Sequence, residues 1–420
     1  MKKLLFFFAL VAGLCSFSYT TNAQGILSKV KQKTKDKVNQ RADDKIDKTI
    51  DKTLDEAENT TKGDGNSEDK GKEKEKVKVE EKTKEPETVS KNADSNPAIK
   101  TYNNYDFVPG DKILFEDHFT DDQDGEFATH WELKAGQAVL NKNNGELAMN
   151  LTDGNYARVS PRMKTEKYLS DPFTIEYDYY HVPGAYGVVT MLTGYDKQLA
   201  FDRESNLYVN ENSADFSGAS GGAELSKDFP KELAEDFDNK WHHVAIAVKN
   251  HQLKVYVDQY RVLVVPDTKE DYDKLVFGGI GAQEQPVIFK NVRIASGGNM
   301  NMIGKKFTES KIVTHGINFD IDKATIRPES MGTLNMIVQV MKDNPDLKFE
   351  VDGHTDNSGA AQHNQSLSQQ RAASVKEQLV KMGIDASRLT TKGLGDTKPI
   401  SDNTSLEGKA NNRRVEFVKL

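Results

Sequence analysis

Between residues 103 and 297 apolar and polar side chains alternate in short runs, KILFEDHF, GELAMNL, FTIEYDYYHV, YGVVTMLTGY, HHVAIAVKN, LKVYVDQYRVLVV and VIFKNVRIA, separated by Gly, Asn and Asp turns. Alternation places successive side chains on opposite faces of a strand. Runs of this density with no convincing helix between most of them predict an all-β antiparallel sandwich or jelly roll. From about Lys311 the period changes. KIVTHGINF reads as a strand, Pro328 sits where a helix begins, and Leu334, Ile337, Val338 and Met341 fall at the spacing of one helical face. LKFEVDG alternates as a strand, LSQQRAASVKEQLVKMG is a second helix closed by Gly383, and RLTTKGLG and RRVEFVKL are two more strands. The predicted order, βαβαββ, lays two helices on one sheet and makes an α+β domain.

Upstream of residue 103 these patterns fade. Residues 1–24 carry two lysines, an apolar run and a small-residue site before Gln24, the marks of an export signal. The run is shorter than the ~20 residues a spanning helix needs, and no later stretch approaches that length, so no transmembrane segment is expected in the mature chain. The single cysteine, Cys15, lies inside the signal and follows Leu14, where lipid attachment would call for a small residue. A mature chain without thiols has no disulfide and no cysteine metal ligand. In residues 25–57 apolar positions such as Ile26, Val30, Val38, Ala42, Ile46, Ile50 and Leu54 recur at multiples of four, a spacing that drifts ~40° per step around a helix. That predicts a charged, partly helical stalk. Residues 58–102 mix both charge signs with almost no large apolar side chains and read as a disordered linker, a coil of roughly 40 residues reaching ~35 Å. The expected organisation is therefore signal, stalk, linker, a β domain over 103–299 and an α+β domain over 300–420. A net charge of −8 argues against a general nucleic-acid binder.

The stretch GHTDNSGAAQHNQSLSQQRAASV, residues 353–375, carries the sharpest chemistry. Arg371 sits four residues from both Leu367 and Val375 on a stripe continued by Leu379 and Met382. A guanidinium buried there without a partner costs several kcal/mol, so a carboxylate is expected beside it. Asp356, in a turn with Gly353 and Gly359, is the natural candidate. From spacing alone, a structural salt bridge and a ligand-reading pair are equally good explanations.

NFDIDKATIRPES, GHTDNSG, NQSLSQQRAASVKEQL and LEGKANNRRVEF, in that order, resemble the peptidoglycan-binding domain of the OmpA family from about residue 311 onward. The resemblance implies a non-catalytic site for the diamino acid of the peptidoglycan stem peptide, with Asp356 and Arg371 holding its ammonium and carboxylate. Asn364, Ser358, Asp320, Asp322 and Arg413 would line or support it. The residue types suit that task, since a guanidinium forks onto a carboxylate and a carboxylate accepts from an ammonium. Arg413 and Arg414 are adjacent in a predicted strand, so only one of them faces the ligand. No cofactor is implied. The resemblance also implies a Gram-negative envelope protein, in the periplasm or on the periplasmic face of the outer membrane.

FTIEYDYY and WHHVAIAVKNHQLKVYVDQYRV resemble strands of concanavalin-like or laminin-G-like jelly rolls, domains that bind carbohydrates or proteins and in some cases cleave glycans. Glu176 and Asp178 share a strand face, but Tyr180 and His181 stand where glycosidases of this fold carry a third acid. A glycan-processing enzyme localised to the wall is the alternative reading, and retaining hydrolysis there would need two carboxyl groups ~5 Å apart. His242 and His243, adjacent on a strand, face opposite ways, one buried and one exposed. The acids of residues 116–126 offer oxygen ligands of the kind Ca²⁺ takes, although solvated turns are the commoner use of such a cluster. Tyr179, Tyr180 and Tyr186 suit either sugar stacking or cross-strand packing. No Gly-rich phosphate loop, HExxH or G-x-S-x-G occurs, so no catalytic set is expected.

Overall fold

The computed structural model describes residues 105–194, 204–219, 222–298 and 306–420. The expected signal, stalk and linker lie outside the described residues.

The alternating runs form thirteen strands: β1 (Lys112–Asp117), β2 (Trp131–Asn143), β3 (Glu146–Pro161), β4 (Phe173–Tyr180), β5 (Val188–Thr193), β6 (Ser205–Val209), β7 (Ser213–Ser217), β8 (Glu224–Asp228), β9 (Trp241–Lys249), β10 (Gln252–Val257), β11 (Tyr260–Val265), β12 (Lys274–Gly281) and β13 (Val287–Ser296). A single turn of helix, α1 (Lys231–Ala234), precedes β9. The strands pair antiparallel in the order β11-β10-β9-β4-β13-β3-β12-β5-β6-β7-β8, with β1 on β13 and β2 on β3. Trp131 anchors the core, ringed by Phe115, Phe119, Phe277 and Phe289, and its indole N–H donates to Asp117 at 2.9 Å. On β4 the inward residues Phe173, Ile175, Tyr177 and Tyr179 belong to this core, while Thr174, Glu176 and Asp178 face the other way and are buried too. A strand buried on both faces has a second layer over it.

That layer is the C-terminal domain. It consists of β14 (Lys311–Thr314), α2 (Met331–Asp343), β15 (Phe349–His354), α3 (Ala361–Lys381), β16 (Leu389–Gly395), α4 (Leu406–Asn412) and β17 (Val415–Lys419). The sheet order is β14-β17-β15-β16, parallel only between β15 and β16. The predicted βαβαββ order lacks α4. Leu406–Asn412 carries no apolar stripe, yet Ser405 caps it by accepting from the Gly408 amide at 3.0 Å. The last strand accordingly starts at Val415, after both arginines. On α3 the buried face runs through Asn364, Ser368, Ala372, Val375 and Leu379, so Leu367 and Arg371 stand at its edge, half-buried.

Helix α2 buries its predicted stripe and, in addition, Met331, Gly332, Thr333, Met336 and Val340. A helix covered on more than one side needs more than its own sheet. Tyr105, Phe107, Ala245 and Tyr256 of the β domain supply the rest, in one apolar cluster with Leu334, Ile337 and Met341. A Cβ at Gly332 would collide with the Phe107 carbonyl, which explains a glycine inside this helix. The Tyr105 hydroxyl donates to the Glu329 carbonyl at 3.3 Å. Tyr105 and Phe107, at the start of the β domain, thus pack into the core of the C-terminal domain, and burying Phe107 alone contributes about 2 kcal/mol.

Candidate binding site

Asp356 lies in the loop between β15 and α3. Its Oδ1 accepts from the Ser358 amide at 2.9 Å, and its carbonyl accepts from Asn364 Nδ2 at 3.2 Å. The same Asn364 amide reaches the Gly359 carbonyl, so the first turn of α3 ties down the loop. Gly359 packs so closely on Asn364 that a Cβ there would press on the amide oxygen. Asp356 is 8% exposed. Burial pushes its carboxyl up, but the Ser358 amide and the Arg413 guanidinium outweigh it and hold the group below the ordinary range.

The pair expected in this stretch is not formed directly. Asp356 Oδ2 accepts from Arg413 Nη1 at 2.5 Å, whereas Arg371 donates through Nε to the Lys323 carbonyl at 2.9 Å and through Nη2 toward the Asp320 carbonyl at 3.5 Å. Its guanidinium also lies 5.0 Å from the centre of the Phe319 ring. Carbonyls and a ring face satisfy the group without cancelling its charge. Burial lowers the pKa of Arg371, with Asp322 and Asp356 pulling the other way and Arg413 adding to the lowering. Two acids and two arginines thus share one patch, and Arg371 forms no ion pair among the described residues.

The turn of residues 318–326 completes the patch. Asp320 offers its carbonyl to Arg371, while its side chain lies 3.8 Å from Lys323 Nζ. Asp322 takes a left-handed φ of 54° and sets its carboxylate 2.6 Å from His363 Nε2 on the first turn of α3. Ser358 is exposed at the rim. Arg413 follows α4 and points to Asp356, while the adjacent Arg414 turns away to Glu416 at 2.7 Å and the Lys398 carbonyl at 3.0 Å. His363 was not singled out from the sequence, although it sits within the same motif.

Glu116, on β1 of the other domain, was legible only as one acid of a turn cluster. Its carboxylate accepts from Arg293 Nε at 2.6 Å and also pairs with Arg413 Nη2. Burial alone would raise its pKa, but Arg293 and Arg413 hold it well below the usual range. Arg413 is thereby shared between two carboxylates from two domains. Two further hydrogen bonds brace this corner, from Ile113 N–H to Asn411 Oδ1 at 3.0 Å and from Asn411 Nδ2 to the Ile113 carbonyl at 2.9 Å.

Glu176 and Asp178 occupy no open groove. Both are buried, with His243 at 3.4 Å from Glu176 and 2.9 Å from Asp178, and Arg327 of the C-terminal domain lies 3.5 Å from Asp178. Burial would raise the Asp178 carboxyl, yet His243 and Arg327 drive it far below the ordinary range, so it holds no proton to give as a general acid. The two histidines do face opposite ways. His242 stacks on Phe237 in the β core and His243 points into the seam, so neither is the exposed one that was expected. Tyr179 is core and Tyr180 packs on Trp241, leaving Tyr186 exposed. Of the 116–126 acids, Asp117, Asp121 and Asp122 bring ligand atoms within 4.8 Å of one another and of His130, while Glu116 turns to the seam.

Residues 318–413 match the OmpA family, so the C-terminal sheet and its helices are an OmpA family domain, preceded by a large β-rich domain. OmpA family domains of this peptidoglycan-binding kind are non-enzymatic. The probable lipoprotein YiaD of Escherichia coli (strain K12) is 45% identical over 104 residues, 25% of this chain and 48% of its own. The peptidoglycan-binding protein ArfA of Mycobacterium tuberculosis (strain ATCC 25618 / H37Rv) is 41% identical over 107 residues, 25% of this chain and 33% of its own. Among solved structures, the cell wall anchor of the T6SS from Pseudomonas aeruginosa is 34% identical, covering 26% of this chain and 80% of that one at a TM-score of 0.25. The chain spans about half or less of the length of these curated relatives.

Proposed function

We propose that this chain is an exported, non-enzymatic cell-envelope protein that binds peptidoglycan non-covalently through the patch around Asp356 and Arg371. The observation that carries the reading is an arginine held by carbonyls, with no anion of its own, beside an aspartate fixed in a turn. One end of a free amino-acid group is an ammonium and the other a carboxylate. Asp356 accepts from the first, Arg371 forks onto the second, and Asn364, Ser358, Asp320, Asp322 and Arg413 shape the site around the stem-peptide diamino acid. The name of the similar ArfA supports a wall ligand, and porin and lipoprotein relatives support a Gram-negative envelope setting, in the periplasm or on the periplasmic face of the outer membrane. No helix among the described residues is long and apolar enough to cross a membrane. The β domain, read as a jelly roll, presents a carbohydrate- or protein-binding surface beside the wall contact. No cofactor takes part.

The test is co-sedimentation of the full chain with purified insoluble peptidoglycan, comparing wild type with Asp356→Asn and Arg371→Ala and checking each by circular dichroism. The full chain is needed because Tyr105 and Phe107 belong to the C-terminal core. Both folded variants are expected to stay in solution, since a charge-assisted contact carries about 2 kcal/mol, roughly thirty-fold in affinity. Sedimentation equal to wild type in either would overturn the reading.

A further inference from the structure

Arg413 connects the proposed ligand site to the β domain, and its geometry sets how Asp356 behaves. One guanidinium nitrogen reaches Asp356 and the other reaches Glu116, whose second contact is Arg293. The Glu116 side chain is 1% exposed, so no wall fragment touches it. We propose that Glu116 is a positioning residue for diamino-acid binding: by holding one side of Arg413 it keeps that arginine from closing fully onto Asp356, and so makes wall binding depend on the docking of the β domain. This rests on the reading of the Asp356 patch given above.

The direction follows from charge and geometry together. Without the Glu116 carboxylate, Arg413 has a single anion to turn to, and both of its donors can swing onto Asp356 as a fork. The patch also gains positive charge, which disfavours an incoming ammonium. Both effects leave Asp356 a poorer acceptor for the ligand. The β domain thus tunes a site to which it contributes no ligand-touching atom. Asn411, clamped to both backbone groups of Ile113, holds β1 at the distance this sharing requires.

The experiment compares full-chain wild type, Glu116→Gln, Asn411→Ala and Asp356→Asn in co-sedimentation with insoluble peptidoglycan, with selective ¹³C labelling of aspartate to follow the Asp356 carboxyl through its titration. Glu116→Gln is expected to bind roughly five-fold or more weakly and to lower the titration midpoint of Asp356. A merely loosened fold would move that midpoint the other way, toward an ordinary aspartate. Asn411→Ala keeps every charge and is expected to shift both readouts in the same direction by less, and it serves as the test should Glu116→Gln not fold. Wild-type affinity in a folded Glu116→Gln or Asn411→Ala, with Asp356→Asn defective, overturns the proposal and leaves the site reading standing. Wild-type affinity in Asp356→Asn overturns both.

Discussion

Around Glu176 and Asp178 the acids and bases complete one another: His243 lies between the two carboxylates, Arg293 is 3.7 Å from Glu176, and Arg327 bridges Asp178 and Glu329. Around Arg371 the same residue types are left incomplete, with carbonyls and a ring in place of a counterion. Both clusters contain acids and arginines, and both involve the C-terminal domain. The difference is that in the first cluster every acid has a base within 4 Å, whereas Arg371 has hydrogen bonds but no ion pair among the described residues. Proximity of carboxylates and arginines is therefore no guide to a site. On the proposed reading, what marks the Arg371 patch is a charge whose hydrogen bonds are made without an electrostatic partner among the described residues.

The comparison breaks most sharply on the closed side. Arg293→Ala leaves Glu176 buried without an arginine and Glu116 with Arg413 alone, and is expected to cost about 3–5 kcal/mol in thermal unfolding. A loss below about 1 kcal/mol would mean that water reaches the cluster. His243 gives the same cluster a pH signature. Burial lowers its pKa, but Asp178 and Glu176 raise it to about 10 in the folded chain, against about 6.5 when unfolded. A raised folded pKa contributes stability that is complete below about pH 6.5 and fades as pH climbs toward 10. Urea midpoints should fall between pH 7 and 9.5 in wild type by more than in His243→Asn, and parallel slopes would remove His243 from the account.

On the open side the effect should be functional. Arg371→Ala is expected to change stability by less than about 1 kcal/mol, because its removal strands no buried carboxylate, while wall binding is lost. A large drop in melting temperature with binding intact would make Arg371 a structural cation like Arg293. Outside the comparison lies Gly332→Ala, which touches neither cluster. The methyl group meets the Phe107 carbonyl and is expected to destabilise the seam by about 1–3 kcal/mol in urea unfolding, and a neutral result would show that the helix and the segment before β1 have room to part.

The β runs, the apolar stripe of α2 and the extent of the second helix were legible because each is a local period imposed by strand or helix geometry. Helix α4 was not, since Leu406–Asn412 has no apolar stripe and leads straight into RRVEFVKL, whose alternation reads as strand. The candidate residues Asp356, Arg371, Asn364 and Arg413 do gather at one place, but who pairs with whom was beyond sequence spacing. Arg413 lies 57 residues from Asp356 and 297 from Glu116, and only the packed seam brings them together. The same packing decides that His243 is enclosed and that Glu176 and Asp178 are covered, facts that depend on a second domain no strand pattern reports.

Tyr105 and Phe107 precede the first β strand, and they are wedged against the helix that begins at Met331. Mechanical load arriving along the chain from its N-terminal side is therefore taken up first by the Tyr105 hydrogen bond to Glu329 and the Phe107 backbone against Gly332. The β domain shares that load, because Asp106, between Tyr105 and Phe107, pairs with Lys254 and accepts from the Tyr256 hydroxyl, each at 2.7 Å. A pull at this point therefore loads both domains across their seam at once.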